Sequence, residues 1–226
     1  MLRQIAIAVM LCSVFSPALA GPATHFSVVA PSPVGSFNNN SLTVTALDAL
    51  NATDTTYAGT VHFTSSDPGY VNSSGDGPLT NGTGSFNFAL KTAGPQTITA
   101  TDSVNLAITG TSNTIMVNPG PTSRFLLNGP SNPNPGVVFN FTATAADLYG
   151  NTTPAYSGVV HFTSTDAGAV LPADSTLSNG AGTFSATLQA ANMNESITAT
   201  DTVDSSITGS VNFSTLPVRL QGFDVE

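Results

Sequence analysis

The chain repeats itself: Tyr57 to Asp67 reads YAGTVHFTSSD, and 99 positions later Tyr156 to Asp166 reads YSGVVHFTSTD. A period near 100 residues is the length of a whole domain, so the sequence is two copies of one fold. The correspondence runs on, with NGTGSF at Asn81 to Phe86 returning as NGAGTF at Asn179 to Phe184, and TITATD at Thr97 to Asp102 returning as SITATD at Ser196 to Asp201. Asp48 recurs as Asp147. The offset is 99 at Asp48, Tyr57 and Asp102 but 98 at Asn81, so a one-residue deletion precedes the Asn-Gly turn and an insertion follows it. Length changes of this kind fall in loops when a fold is kept.

Ahead of the first copy, Arg3, the apolar run Ile5 to Phe15 and the small residues Ala18-Leu19-Ala20 read as a secretory signal peptide over residues 1–20. The copies then occupy 21–119 and 120–215, joined through Asn118-Pro119-Gly120-Pro121, a short and stiff connection. Residues 216–226 (LPVRLQGFDVE) form a C-terminal tail outside both repeats, with an alternation suited to an edge strand. Cys12 lies inside the leader, so the mature chain is expected to lack disulfides and to hold together by packing alone. Past the leader, three cations face 13 acidic residues, a net charge of 3 − 13 = −10. That balance argues against nucleic acid and anionic lipid as partners, since both need a basic patch. No second apolar stretch of about 20 residues follows the leader, so no transmembrane segment is expected in the mature chain.

Each copy alternates apolar and polar residues in short runs. Leu42, Val44 and Ala46 share one parity, as do Val61 and Phe63, Phe86 and Phe88, and Ile98 and Ala100. Period-2 runs punctuated by Gly, Pro and Asn predict an all-β fold, two tandem β-sandwiches of about seven strands each. The strands are expected at 26–29, 41–47, 60–65, 78–80, 85–90, 97–101 and 112–117. In the second copy they are expected at 125–128, 139–146, 159–164, 175–178, 183–188, 196–200 and 210–213. Asn81-Gly82 and Asn179-Gly180 are expected at tight two-residue hairpin turns with positive φ at both central positions.

The run Ala145-Ala146-Asp147-Leu148-Tyr149-Gly150-Asn151, followed by YSGVVHFTSTD, NGAGTF and SITATD, resembles the bacterial immunoglobulin-like repeats found in tandem in large secreted and surface proteins. It is distantly similar to the stalk domains of invasin and intimin. The resemblance spans nearly all of residues 23–214 and implies two immunoglobulin-like sandwiches, while leaving function open because this fold hosts many roles. The first copy departs from the pattern at Asp48-Ala49-Leu50-Asn51-Ala52, where the Gly-Asn pair is missing, which puts its turn in question.

His62 and His161 share their strands with Ser65, Asp67 and Ser164, Asp166. Strand alternation turns each histidine outward, between Thr60 and Thr64 in the first copy, and turns the serine three positions on to the other face, so no Ser-His-Asp triad forms. Tyr57 and Tyr156 read as core-edge rings with bonded hydroxyls. The aspartates carry more. In an immunoglobulin-like topology Asp48 and Asp102 end strands at the N-terminal pole and Asp67 at the opposite pole, so end-to-end stacking would bring Asp67 near Asp147 and Asp201. Three carboxylates at such a junction could ligate calcium, the one metal site and only candidate cofactor the sequence offers; the alternative is that each accepts backbone N–H bonds in its own turn.

The sequence therefore points to a secreted, non-catalytic structural or adhesive module, extracellular, periplasmic or surface-associated, whose partner is a protein or glycan at a cell surface. The competing reading is a soluble recognition module that binds a glycan or protein through the N-terminal-pole loops Ala49 to Thr56, Asn81 to Gly84 and Ser103 to Thr109. Absence of Trp weakens a sugar-stacking surface. No acid, base and nucleophile converge in either copy.

Overall fold

The computed structural model describes residues 20–191 and 194–215; the expected signal peptide, apart from Ala20, and the tail 216–226 lie outside the described residues. The first copy contributes β1 (His25–Val29), β2 (Val34–Gly35), β3 (Asn40–Leu47), β4 (Thr60–Ser65), β5 (Val71–Asn72) and β6 (Gly77–Pro78). It continues with β7 (Thr83–Ala89), β8 (Gly94–Gln96), β9 (Ile98–Asp102), β10 (Thr109–Thr111) and β11 (Ile115–Asn118). One sheet has the order β1-β3-β7-β5 and the facing sheet β10-β9-β4-β6. Named by their order along an immunoglobulin chain, these are strands A-B-E-D and G-F-C, the constant-type sandwich, with β6 added beside β4. A small third sheet, β2-β11-β8, continues strand G, with β2 parallel to β11 at Val117↔Val34.

The second copy contributes β12 (Arg124–Asn128), β13 (Phe139–Ala146), β14 (Val159–Ser164), β15 (Ser175–Thr176), β16 (Ala181–Ala186), β17 (Asn194–Asp201) and β18 (Thr208–Ser214). Its strands form one ladder, β15-β14-β17-β18-β12-β13-β16, because β12 meets β18 in parallel at Arg124↔Thr208 and joins the two sheets along one edge. Among the described residues no helix is long and apolar enough to cross a membrane.

Period-2 patterning decides which face of each strand is buried. Val61, Phe63, Ile98 and Ala100 are buried while His62 between them is exposed, and Val160, Phe162, Ile197 and Ala199 repeat the arrangement around His161. Buried apolar side chains fall into two clusters, one drawn from Phe26 to Val117 and the other from Phe125 to Phe213. Phe63 packs on Phe86 at 4.7 Å between ring centroids, and Phe162 on Phe184 at the same distance. At about 25 cal/mol per Å2 of apolar area, aromatic rings of this size dominate such a core.

The Asn-Gly turns have the expected backbone, with φ of 52° and 75° at Asn81 and Gly82 and 49° and 74° at Asn179 and Gly180. Their setting differs from a simple hairpin, because β6 pairs with β4 while β7 pairs with β3, so the turn carries the chain from one sheet to the other. A Cβ on Gly82 would press into the carbonyl of Asp54, and one on Gly180 into that of Thr153, which excludes any other residue on steric grounds.

Four short strands, β2, β5, β8 and β10, lie outside the expected set, and the strand expected at 112–117 starts only at Ile115, as β11. There the Ser112 hydroxyl accepts the Ile98 N–H at 3.1 Å and donates to the Asn113 carbonyl at 2.8 Å, so its side chain takes a ladder position and separates β10 from β11. The turn after Asp48 is intact despite the missing glycine. Asn51 takes φ of 62° where Gly150 takes 88°, since Asn tolerates the left-handed region, and both turns close through the same bonds back to the aspartate. In the second copy the counterpart of β5 shrinks to a single bridge, Val170↔Thr187. Two residues on, Pro172 has no N–H to give, whereas Ser73 in the first copy donates to the Asn87 carbonyl at 3.0 Å.

Candidate functional site

Seven aspartates are buried: Asp48, Asp54, Asp67, Asp102, Asp147, Asp166 and Asp201. Each ends a strand or lies in the turn after one and collects N–H groups. Asp67 accepts from the N–H groups of Gly69 (2.8 Å), Lys91 (2.6 Å) and Thr92 (3.0 Å) and from the Thr92 hydroxyl (2.7 Å). Asp147 accepts from the N–H groups of Tyr149, Asn151 and Gly120 and from the Asn151 amide, each at 2.9 Å. Asp201 accepts from the N–H groups of Val203 and Asp204, both at 2.8 Å, and from the Tyr156 hydroxyl. Burial pushes the Asp67 and Asp147 carboxyls up, but their hydrogen bonds outweigh it and hold both below the ordinary carboxylate value. At Asp201 the Tyr156 hydroxyl is the largest influence and acts in the same downward direction.

The structure therefore places Asp67 and Asp147 on one continuous strip but does not pool their oxygens with those of Asp201. Asp67 grips the Lys91-Thr92 backbone from the first copy; Asn151 of the second copy holds the same segment from the other side, and Asp147 holds Asn151. Asp201 belongs to the Tyr156 corner. Among the described residues no group of three or more His, Cys, Asp or Glu side chains is gathered to hold a metal ion.

What stands at this place is a joint between the copies. The Asn151 side chain accepts the Ala93 N–H at 2.8 Å and donates to the Lys91 carbonyl at 2.7 Å. Beside it, the Phe37 and Tyr149 rings meet at 4.9 Å with a 48° tilt, and the Lys91 ammonium lies 5.0 Å from the Phe37 centroid and 5.9 Å from that of Tyr149. A cation against two ring faces is favourable by about 0.5–1 kcal/mol where exposed. Arg124 sits at the same pole of the second copy and donates to the Leu148 carbonyl at 2.7 Å. The linker joins in through the Gly120 N–H bond to Asp147.

Sequence reasoning placed the junction but missed these residues. The available signal lay among the positions where the copies differ, which include Phe37 against Gly136, Lys91 against Gln189, Tyr149 against Leu50, and Asn151 against Ala52. Lys91 is also the only lysine in the sequence.

The tyrosines stand as expected. Tyr57 and Tyr156 donate to Asp102 and Asp201 and pack edge-on against Phe26 and Phe125, at 5.5 and 5.4 Å. Burial first, then the neighbouring carboxylate, raises both phenols far above their ordinary range. The histidines are exposed, and each pairs through Nδ1 with an aspartate, His62 with Asp76 at 2.7 Å and His161 with Asp174 at 2.6 Å. Neither bond involves Ser65, Ser164, Asp67 or Asp166. At the N-terminal pole of the first copy, Leu50, Val104 and Leu106 are 82%, 93% and 72% exposed. A shallow cavity of about 420 Å3 there is lined by Gly21, Pro22, Thr24, Asp48, Ala49 and Leu50.

No family model and no curated relative matches the sequence. Among solved structures, the chain is similar to the Escherichia coli adhesin FdeC, with 15% identity over 86% of this chain and 65% of that one and a TM-score of 0.43. It is similar to the Yersinia pseudotuberculosis adhesin InvE, with 19% identity over 88% of this chain and 61% of that one and a TM-score of 0.39. It is also similar to Bacteroides uniformis beta-glucuronidase 3, with 15% identity over 84% of this chain and 24% of that one and a TM-score of 0.37. Adhesins and a sugar-cleaving enzyme stand side by side in this group, and none decides what this chain does.

Proposed function

We propose that the chain is a secreted, non-catalytic structural or adhesive module in which two immunoglobulin-like sandwiches form one stiff unit at or outside a bacterial cell surface. The observation that carries this reading is the joint, where Asn151 and the Phe37–Lys91–Tyr149 stack join the copies through side chains as well as through the linker. A spacer or stalk needs a fixed angle between its units, and side-chain bonds across the boundary supply one. The buried aspartates fit it, their oxygens engaged by backbone N–H groups and by Thr, Tyr and Asn side chains that fix turns and strand ends. Fractionation of the native host tests the placement: mature protein at the surface or in the medium supports the reading, and mature protein confined to the cytoplasm contradicts it.

A second reading, recognition through the N-terminal-pole loops, draws on the exposed Leu50, Val104 and Leu106 and the cavity beside them. Apolar loop tips without aromatic rings fit a protein surface better than a sugar. Replacing all three with Ser should abolish binding to host cells or matrix under this reading, and should leave it unchanged if the module is a spacer.

A further inference from the structure

We infer that Phe37, Lys91, Tyr149 and Asn151 determine the orientation of the two copies, and that they restrict the joint to one pairing: the C-terminal pole of the first copy with the N-terminal pole of the second. This rests on the reading of the chain as a tandem structural module.

The backbone is the same at each of the four positions and its counterpart. Phe37 and Gly136 occupy one turn, their N–H groups donating to the Leu90 and Leu188 carbonyls at 2.6 and 2.8 Å, with φ of 56° and 74°. The N–H groups of Lys91 and Gln189 donate to Asp67 and Asp166 at 2.6 and 2.5 Å. Asp147 donates its N–H to the Asn151 carbonyl and Asp48 to that of Ala52, both at 2.9 Å, and Tyr149 and Leu50 stand two residues earlier in those turns. Each difference is therefore a change of side chain on an unchanged frame.

Phe37 is the decisive case. A bulky aromatic at positive φ is disfavoured because its Cβ crowds the backbone, and the second copy avoids the strain with glycine. In the first copy the strained residue stands where its ring meets Tyr149 and the Lys91 ammonium. Strain held at a contact surface points to a role for the contact.

The two outer poles carry the other set. Leu50 and Ala52 at the outer pole of the first copy offer neither a ring face nor an amide, and Gly136 and Gln189 at the outer pole of the second copy offer neither a ring nor a cation. Among the described residues, a second molecule docking head to tail would meet none of these four side chains' contacts, so the same four differences that join the copies work against separate chains extending them.

The test exchanges the four residues in the full chain for those of the sister copy: Phe37→Gly, Lys91→Gln, Tyr149→Leu and Asn151→Ala. Because the other sandwich holds the same turns with these residues, both folds should survive. Spin labels go on Val104→Cys and Val203→Cys, equivalent loop positions that are each 93% exposed, in a mature chain that has no other cysteine. The expected result is one narrow interspin distance in the parent and a distribution at least twice as broad in the fourfold variant, with circular dichroism unchanged. A variant as narrow as its parent, or a parent already broad, would overturn the inference. If the fourfold variant misfolds, Phe37→Gly alone decides: it should raise the melting temperature of the first copy while broadening the distance, and a narrow distance would overturn the inference. A broad parent leaves surface fractionation unaffected, so failure of the joint and failure of the structural-module reading are separate results.

Discussion

The amide of Asn151 spans the boundary between the copies, its Oδ1 taking the Ala93 N–H at 2.8 Å and its Nδ2 giving to the Lys91 carbonyl at 2.7 Å. The two ends of the amide are thereby distinguished, and a residue with two acceptors cannot replace it. Asn151→Ala should cost about 1–2 kcal/mol, the net worth of one or two hydrogen bonds. Asn151→Asp should cost more, because it sets a carboxylate oxygen against the Lys91 carbonyl and beside Asp147. Urea midpoints of the two variants decide this; Asp tolerated better than Ala would contradict the geometry.

Tyr57→Phe and Tyr156→Phe each remove a hydroxyl donor from a buried aspartate while keeping the ring that packs on Phe26 or Phe125. Leaving a buried acceptor short of a partner costs about 1–3 kcal/mol, so each change should lower the stability of its own copy by that order. The Asp102 and Asp201 carboxyls should also move up toward their ordinary value, since each loses a hydrogen bond that lowers it. Chemical denaturation and carboxyl titration by NMR measure the two effects. Unchanged stability would mean that the phenol–carboxylate bond contributes nothing net.

Gly82→Ala and Gly180→Ala should both be severely destabilising. An L-residue in the left-handed region costs about 1–2 kcal/mol, and the new Cβ also collides with the carbonyl of Asp54 or Thr153. Asn81→Gly should be nearly neutral by comparison, because it relieves positive φ without meeting any atom. Thermal melts of the three variants rank them, and equal melting temperatures would contradict the turn geometry.

Acid should unfold the protein through its turns. Asp48, Asp54, Asp67, Asp102, Asp147, Asp166 and Asp201 all have carboxyls held below the ordinary value of 3.8. A group whose folded pKa is depressed stabilises the fold at pH above its unfolded value and loses that contribution as pH falls through the folded one. The melting temperature should be flat above about pH 5 and drop steeply below pH 4. A melting temperature that rises on acidification through that window would contradict the assignment.

Most of the fold was legible because duplication and period-2 burial reinforce each other. Val61 and Phe63 inside with His62 outside follow from alternation alone, and the strands 60–65, 139–146 and 159–164 fall where that alternation runs. Strands of two or three residues such as β2, β5 and β8 are too short to show a period, and Pro33 beside β2 and Pro95 within β8 argue against pairing on propensity. The poles of Asp67 and Asp147 were legible from strand direction. Their hydrogen-bond partners were not, because Lys91 and Thr92 reach Asp67 across 24 and 25 residues of chain. The joint was hidden for a different reason: matching the copies draws attention to identities, whereas Phe37, Lys91, Tyr149 and Asn151 are differences.

The two sandwiches each have their own core and, among the described residues, are coupled at the joint. Calorimetry on residues 21–119, residues 120–226 and the two together tests it most directly. The account predicts that each half unfolds cooperatively on its own, and that the joined chain melts slightly higher than the halves by an increment that Asn151→Ala reduces. A half that stays unfolded alone, or a joined chain that melts no higher than its parts, would contradict it.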